Sequence, residues 1–157
     1  MDKIVFITGA SSGIGAGCAR KFASQGASLI LNARNVNKLS ALKEELEKQY
    51  GAKIYLLPFD VRDRKAATSA LESLPKEWQS IDILVNNAGL VIGTDKEQEG
   101  SLDEWDIVID TNVKALLAMT RLIVPGMVER KRGHIINIGS IAGDAAYPGG
   151  SVYCATK

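Results

Sequence analysis

Apolar and polar positions fall along this chain in two alternating rhythms. Short, nearly continuous apolar runs recur at residues 3–8 (KIVFIT), 28–33 (SLILNA), 53–59 (KIYLLPF), 81–87 (IDILVNN) and 133–140 (GHIINIGS). Runs of that length, rich in β-branched residues, predict buried strands. Between them the period changes to that of a helix. A glycine-rich turn after the first strand opens a helix to about residue 25, and a second covers 37–50, with Leu39, Leu42 and Leu46 on one face. A third is expected at 64–74 and a single long one at about 102–129.

Apolar strands joined through helices call for a parallel sheet covered on both faces, with right-handed crossovers. The fold class is therefore α/β, a doubly wound, three-layered, Rossmann-like sheet. No linker, repeat or break in composition divides it, so residues 1–157 are expected to form one domain. Ligands of such sheets bind beyond the carboxyl ends of the strands, where strand order reverses. The residues after strands one and four are the first to inspect.

Composition narrows the partners. The chain is 46% apolar and 24% charged, with 19 basic against 18 acidic side chains. So small a net charge gives no strong field for nucleic acid or an anionic membrane, which leaves a small molecule as the expected partner. The charge runs at 43–48 and 129–132 read as solvated helix faces, and the second places cations at a helix end. Cys18 and Cys154 lie far apart with no CxxC or Cys/His cluster, so neither a metal site nor a disulfide framework is suggested. The apolar run before the first glycine is too short for a signal peptide, and no stretch approaches the roughly 20 apolar residues of a membrane span. A soluble, cytoplasmic protein is expected.

The turn after strand one reads TGASSGIG, residues 8–15. It is not the GxGxxG fingerprint, because Ser11 stands where the second glycine would be. Gly9 permits the tight exit from the strand, Gly13 and Gly15 allow backbone to approach a pyrophosphate, and the helix N-terminus supplies oriented N–H groups. The alternative is a glycine-rich turn that binds nothing. After strand two, where a dinucleotide site reads the adenine ribose, no carboxylate lies between Asn32 and Lys38, and Arg34 offers a planar cation suited to phosphate. This pattern favours NADP over NAD, unless Arg34 is only a solvated loop residue. Asp60, after strand three, either accepts a hydrogen bond from an adenine amino group or starts the turn before the next helix. Strand four ends in NNAG, residues 86–89.

In order and spacing, TGxxxGIG at 8–15, NNAG at 86–89, Asn112, Ser140, and Tyr153 with Lys157 resemble the short-chain dehydrogenase/reductase family. The resemblance implies an NADP-dependent oxidoreductase. Hydride transfer leaves a hydroxyl proton to be moved, and Tyr153 looks like the acid/base that moves it. A phenol's ordinary pKa is about 10, so a nearby cation must favour the phenolate, and Lys157 lies one helical turn away. By the same resemblance Lys157 also bonds the nicotinamide ribose, Ser140 holds the substrate oxygen, and Asn112 anchors a water between the lysine and solvent. Cofactor contacts are expected from Gly9, Ser11, Ser12, Gly13, Ile14 and Gly15, from Arg34, Asp60 and Val61, from Asn87, Ala88 and Gly89, and from Tyr153 and Lys157. His134 and Cys154 match no family role, and Cys154 should pack rather than react.

The stretches LPKEWQSIDILVNNAGL, PGMVERKRGHIINIGSIAG and YPGGSVYCATK look like one branch, the NADP-dependent 3-hydroxy acid dehydrogenases that oxidise serine and allo-threonine. A carbonyl or 3-oxoacyl reductase is the nearest rival, and a non-catalytic NADP-binding protein the next. The substrate walls are expected at 90–93 and 141–152. The family fold continues for two more strands with their helices and a subunit-pairing surface. The 157 residues are thus expected to be part of a longer, homo-oligomeric chain, truncated after strand five, with little turnover by themselves.

Overall fold

The structure, a computed structural model, describes residues 2–157. Five strands form one parallel sheet in the order β3-β2-β1-β4-β5: β1 Ile4–Ile7, β2 Ser28–Leu31, β3 Ile54–Leu56, β4 Ile81–Asn86 and β5 His134–Asn137. From β1 the chain winds outward through β2 and β3, then returns to pair β4 on the other side of β1. The reversal point is thus the seam between β1 and β4.

The period-two alternation of β1 sorts its side chains between two cores. Val5 and Ile7, with Leu29 and Leu31 of β2, pack against α1 (Gly13–Ser24) and α2 (Val36–Tyr50), the latter through Leu39, Leu42 and Leu46. Phe6, Ile30 and Leu84 face the other way, onto Ala67 of α3 (Arg64–Glu72) and Met119, Ile123 and Met127 of a longer helix. These strand residues are fully buried, and burying an aliphatic side chain of this size contributes about 1.5–3 kcal/mol. Three layers result. Helix ends follow local signals: the Asn35 side chain accepts from the Lys38 amide to start α2, which ends at Gly51 with φ 63°.

The helix expected at about 102–129 is not uniform. It runs as α4 (Leu102–Ile109), a π-helical segment (Asp110–Ala115) and α5 (Leu116–Glu129). Backbone angles stay helical across both junctions, so the path is continuous but one turn is wide. The Thr111 hydroxyl donates to the Ile107 carbonyl at 2.8 Å within this stretch, and the buried Asn112 bonds the backbone of Leu90. Such wide turns concentrate at functional sites. The short helix α6 (Ser151–Thr156) ends the described chain, packed against α4 and a 3₁₀ turn at Ile141–Gly143. On the outer edge of the sheet, β5 is largely exposed, whereas β4 is buried throughout.

At the amino end of the sheet, Asp82 is 5% exposed and holds three segments together. Its carboxylate accepts from the Ile4 amide at 3.0 Å and from the Arg132 guanidinium at 2.9 Å. Arg130 donates to the Ile81 carbonyl beside it at 2.7 Å. Asp82→Ala leaves the Ile4 amide without its partner, so it should cost about 1–3 kcal/mol in urea unfolding while leaving the opposite, carboxyl end of the sheet unaltered.

Candidate active site

The carboxyl ends of β1 and β4 are fastened by one side chain from each. The Thr8 hydroxyl donates to the Val85 carbonyl and accepts from the backbone amides of Asn87 and Ala88, both at 3.0 Å. In return, Asn87 Nδ2 donates to the carbonyls of Thr8 and Gly9 at 2.9 and 3.0 Å. This latch fixes the glycine turn against NNAG. Gly9 has φ 63°, and a Cβ there would lie 2.9 Å from Asn87 Nδ2 and 3.0 Å from the Ala88 backbone. A side chain at Gly9 is excluded twice over.

Beside the latch opens a cleft of about 970 Å³, at the upper end of the range for ligand sites. Gly9, Ser11, Ser12, Gly13 and Ile14 line one side, and Asn87, Ala88 and Gly89 another. Ser12 is the N-cap of α1, but its side chain makes no capping bond, so the amides of the first turn have no side-chain partner. Gly13, at φ 53°, would meet nothing within 4 Å if it carried a Cβ, which leaves room for a ligand at the helix end. Together these suit a phosphate. Gly15 departs from expectation. It does not line the cleft; it is buried, and its missing side chain lets the Gly9 carbonyl and Asn87 Nδ2 press directly on the helix. The absence of a side chain at Gly15 thus serves close helix-to-strand packing.

At the far end, Arg34, Lys38, Asp60, Val61 and Arg62 line the same cleft. Asp60 turns out to start the turn: it accepts from the Arg62 amide at 3.0 Å through its side chain and from the Asp63 amide at 2.9 Å through its carbonyl. Asp63, not Asp60, caps α3. The Asp60 carboxylate is also gripped by the Arg62 guanidinium, with a closest approach of 2.7 Å, while Arg34 stands 3.9 Å away. The hydrogen bond from Arg62 holds Asp60 below the ordinary carboxylate range, against a smaller opposing effect of burial. Lys38 and Arg62 escaped the sequence reading. Lys38 lies in the first turn of α2, directly after the loop that carries Arg34, a nearness in sequence that could have pointed to it.

At the other end, Tyr153 and Lys157 of the α6 stretch line the cleft, with Leu90, Val91, Ile138 and Gly139. Lys157 Nζ donates to the Ile138 carbonyl at 2.6 Å and lies 3.5 Å from where a Gly89 Cβ would stand. Asn112 Oδ1 approaches the same point to 3.3 Å. The Asn112 amide is spent on protein: it accepts from the Leu90 amide and donates to the Leu90 carbonyl and the Thr156 hydroxyl, each at 2.9 Å. Ser140 caps the 3₁₀ turn, its hydroxyl accepting from the Ala142 amide at 3.2 Å, and does not itself line the cleft. Parts of the two expected walls, Ile92 and Gly93 with Gly149 to Val152, line a small crevice that shares Tyr153 with the cleft. Cys154 packs beside Gly150, and His134 is exposed on β5. Among the described residues there is no group of three or more His, Cys, Asp or Glu placed to hold a metal ion, and no helix is long and apolar enough to cross a membrane.

The fold and cleft define a doubly wound α/β protein in which a glycine turn and a Tyr–Lys pair face one cavity. The chain belongs to the short chain dehydrogenase family, whose model matches residues 3–157. It is 50% identical over 154 residues to the NADP-dependent 3-hydroxy acid dehydrogenase YdfG of Escherichia coli (strain K12), covering 98% of this chain and 60% of that protein. The crystal structure of serine dehydrogenase from Escherichia coli superposes with a TM-score of 0.91 at 50% identity, over 98% of this chain and 69% of that one. The closed form of serine dehydrogenase complexed with NADP+ matches with a TM-score of 0.91 at 49% identity, over 98% and 60%. This chain therefore spans 60% of the length of the curated relative.

Because the folded state holds Asp60 below the ordinary carboxylate value, its contribution to stability is complete above about pH 4 and is lost as pH falls through the lowered value. Asp60→Asn should accordingly unfold at lower denaturant than the unsubstituted protein at pH 7, and the two midpoints should converge in acid. A gap that widens below about pH 4 would contradict the Asp60–Arg62 pair as the source.

Proposed function

We propose that this chain is the NADP-binding and catalytic part of a cytoplasmic oxidoreductase acting on the hydroxyl or carbonyl carbon of a small 3-hydroxy acid such as serine or allo-threonine. The observation that carries the reading is that Tyr153 and Lys157 line the same cleft as the uncapped amino end of α1. One end of that cleft suits a pyrophosphate and the other holds a proton-transfer pair. The relatives named above supply the cofactor and the substrate class.

In this reading the pyrophosphate lies at Ser11–Gly13 against the first turn of α1, where backbone donors and the helix dipole favour an anion. Arg34, backed by Lys38 and Arg62, takes the 2′-phosphate. The adenine lies by Asp60 and Val61, and the nicotinamide by Asn87, Ala88 and Gly89. Bound there, the nicotinamide supplies the acceptor or donor of hydride. The chain's own residues handle the proton. In oxidation, the Tyr153 oxygen takes the proton of the substrate hydroxyl as hydride leaves its carbon; in reduction it returns that proton to the carbonyl oxygen. Lys157, anchored on the Ile138 carbonyl, would bring positive charge to that end of the cleft and would hold the nicotinamide ribose. Ser140, whose hydroxyl accepts from the Ala142 amide and keeps its own proton to donate, gives the substrate oxygen a second hydrogen bond.

A second reading is kept by one observation: the lining held by Asn112 and Lys157, Leu90 and Ile138, is apolar. An NADPH-dependent carbonyl reductase would use the same proton chemistry on a ketone. The complete protein is read as a homo-oligomer, a proposal supported by Leu117 and Val128, 60% and 68% exposed and three turns apart on one face of α5.

Nicotinamide absorbance followed on the full-length protein separates these readings. Serine, allo-threonine and 3-hydroxypropionate should be oxidised with NADP in preference to NAD, and Arg34→Ala should remove most of that preference. Tyr153→Phe should lower kcat at least about 100-fold while NADPH still binds. Turnover of simple ketones alone would favour the carbonyl reductase, and tight NADPH binding with no turnover of any substrate would sink both.

A further inference from the structure

We infer that Thr156 is a positioning residue, tying the helix that carries Tyr153 and Lys157 to the π-helical segment. The inference rests on the oxidoreductase reading above, since it concerns how the proton donor is held. The Thr156 hydroxyl accepts from Asn112 Nδ2 at 2.9 Å and donates to the Tyr153 carbonyl at 2.9 Å. Asn112 is in turn anchored on both backbone groups of Leu90. A continuous chain of bonds thus runs from the loop after β4, through the π-helical segment, to the backbone of Tyr153 itself.

Three physical points give that chain its weight. First, the bond from Asn112 joins residues 44 apart in the chain, so it ties α6 to a separate element rather than to its own turn. Second, Asn112 is 4% exposed and both of its amide hydrogens are used, one on Leu90 and one on Thr156. Removing the Thr156 oxygen strands a buried donor, a loss larger than that of an ordinary surface bond. Third, the position needs a group that accepts and donates at once. A hydroxyl does both, and the head-to-tail order, Asn112 to Thr156 to the Tyr153 carbonyl, lets each bond polarise the next. The wide turn at 110–115 accounts for the reach: it belongs to the same segment that turns Asn112 toward Leu90 and Thr156. Lys157 follows directly, and its Nζ is already fixed on the Ile138 carbonyl, so Thr156 secures the backbone between two functional side chains.

The test compares Thr156→Val, which keeps shape and loses both bonds, with Thr156→Ser, which keeps the hydroxyl, in the full-length protein. For Val, kcat should fall roughly tenfold or more, while KM for NADP and NADPH affinity by fluorescence stay within about threefold of wild type. Ser should recover most of kcat. Hydrogen exchange at the amides of residues 153–157, read without turnover, should speed up in Val and not in Ser. A Val variant with kcat near wild type, a loss of NADPH affinity equal to the loss of kcat, or a Ser variant that recovers neither quantity overturns the inference. If Val does not fold, Thr156→Ala carries the same expectations. A wild-type protein that turns over no substrate defeats the oxidoreductase reading alone, and the exchange rates still decide whether Thr156 holds the helix.

Discussion

The structure depends on the latch between Thr8 and Asn87. A doubly wound sheet must reverse direction somewhere, and here the reversal leaves β1 and β4 as neighbours whose loops diverge. Diverging loops leave backbone groups without ladder partners, and such groups are costly when buried. Thr8 meets two of those amides with one oxygen, and Asn87 meets two carbonyls with one amide nitrogen. Because both Gly9 and Gly15 are closed in by Asn87 Nδ2, the glycine turn, the start of α1 and NNAG form one unit. The cleft takes its shape from that unit.

The second half of the site is built by a different device. No strand end supplies Tyr153 and Lys157; Tyr153 lies in α6 and Lys157 directly follows it. Its placement comes from contacts around it: Lys157 Nζ on Ile138, the 3₁₀ turn against the Lys157 backbone at Gly143, and Asn112 through Thr156. The π-helical segment lets one helix serve two purposes, packing Met119, Ile123 and Met127 in the core while Asn112 bonds Leu90 and Thr156.

Much of this was legible in the sequence. Strand and helix periods gave the three layers, and the glycine turn and NNAG marked the two loops that meet at the switch point. What periodicity could not reveal has a common cause: it depends on which atoms meet across the fold. The wide turn at 110–115 leaves the apolar pattern of a plain helix almost unchanged, since one extra residue is absorbed in a single turn. Gly15 looks like a second ligand-facing glycine until the Gly9 carbonyl is found against it. Ser140 is at the expected place in the chain, but that its hydroxyl also accepts from the Ala142 amide depends on the turn at Ile141–Gly143. Asp60 reads as an adenine contact or a turn, and the turn, with Arg62 as its partner, is what the folded chain displays.

That partner also settles the charge balance at the far end of the cleft. Arg34, Lys38 and Arg62 surround one carboxylate, and Arg62 grips it with a closest approach of 2.7 Å while Arg34 stands at 3.9 Å. A loose, exposed ion pair contributes at most about 1 kcal/mol, whereas a guanidinium meeting a phosphate in paired, charge-assisted bonds gains considerably more. With Asp60 already neutralised by Arg62, the side chain of Arg34, 67% exposed, gives up little by turning to an incoming phosphate. An acidic residue at this end of a dinucleotide cleft ordinarily argues for a free ribose hydroxyl and against a 2′-phosphate. Here the carboxylate comes from the third strand and is matched by its own arginine, so it orders the turn without repelling the anion. The proposed preference for a phosphorylated ribose thus rests on how the charges are paired rather than on the number of basic residues present.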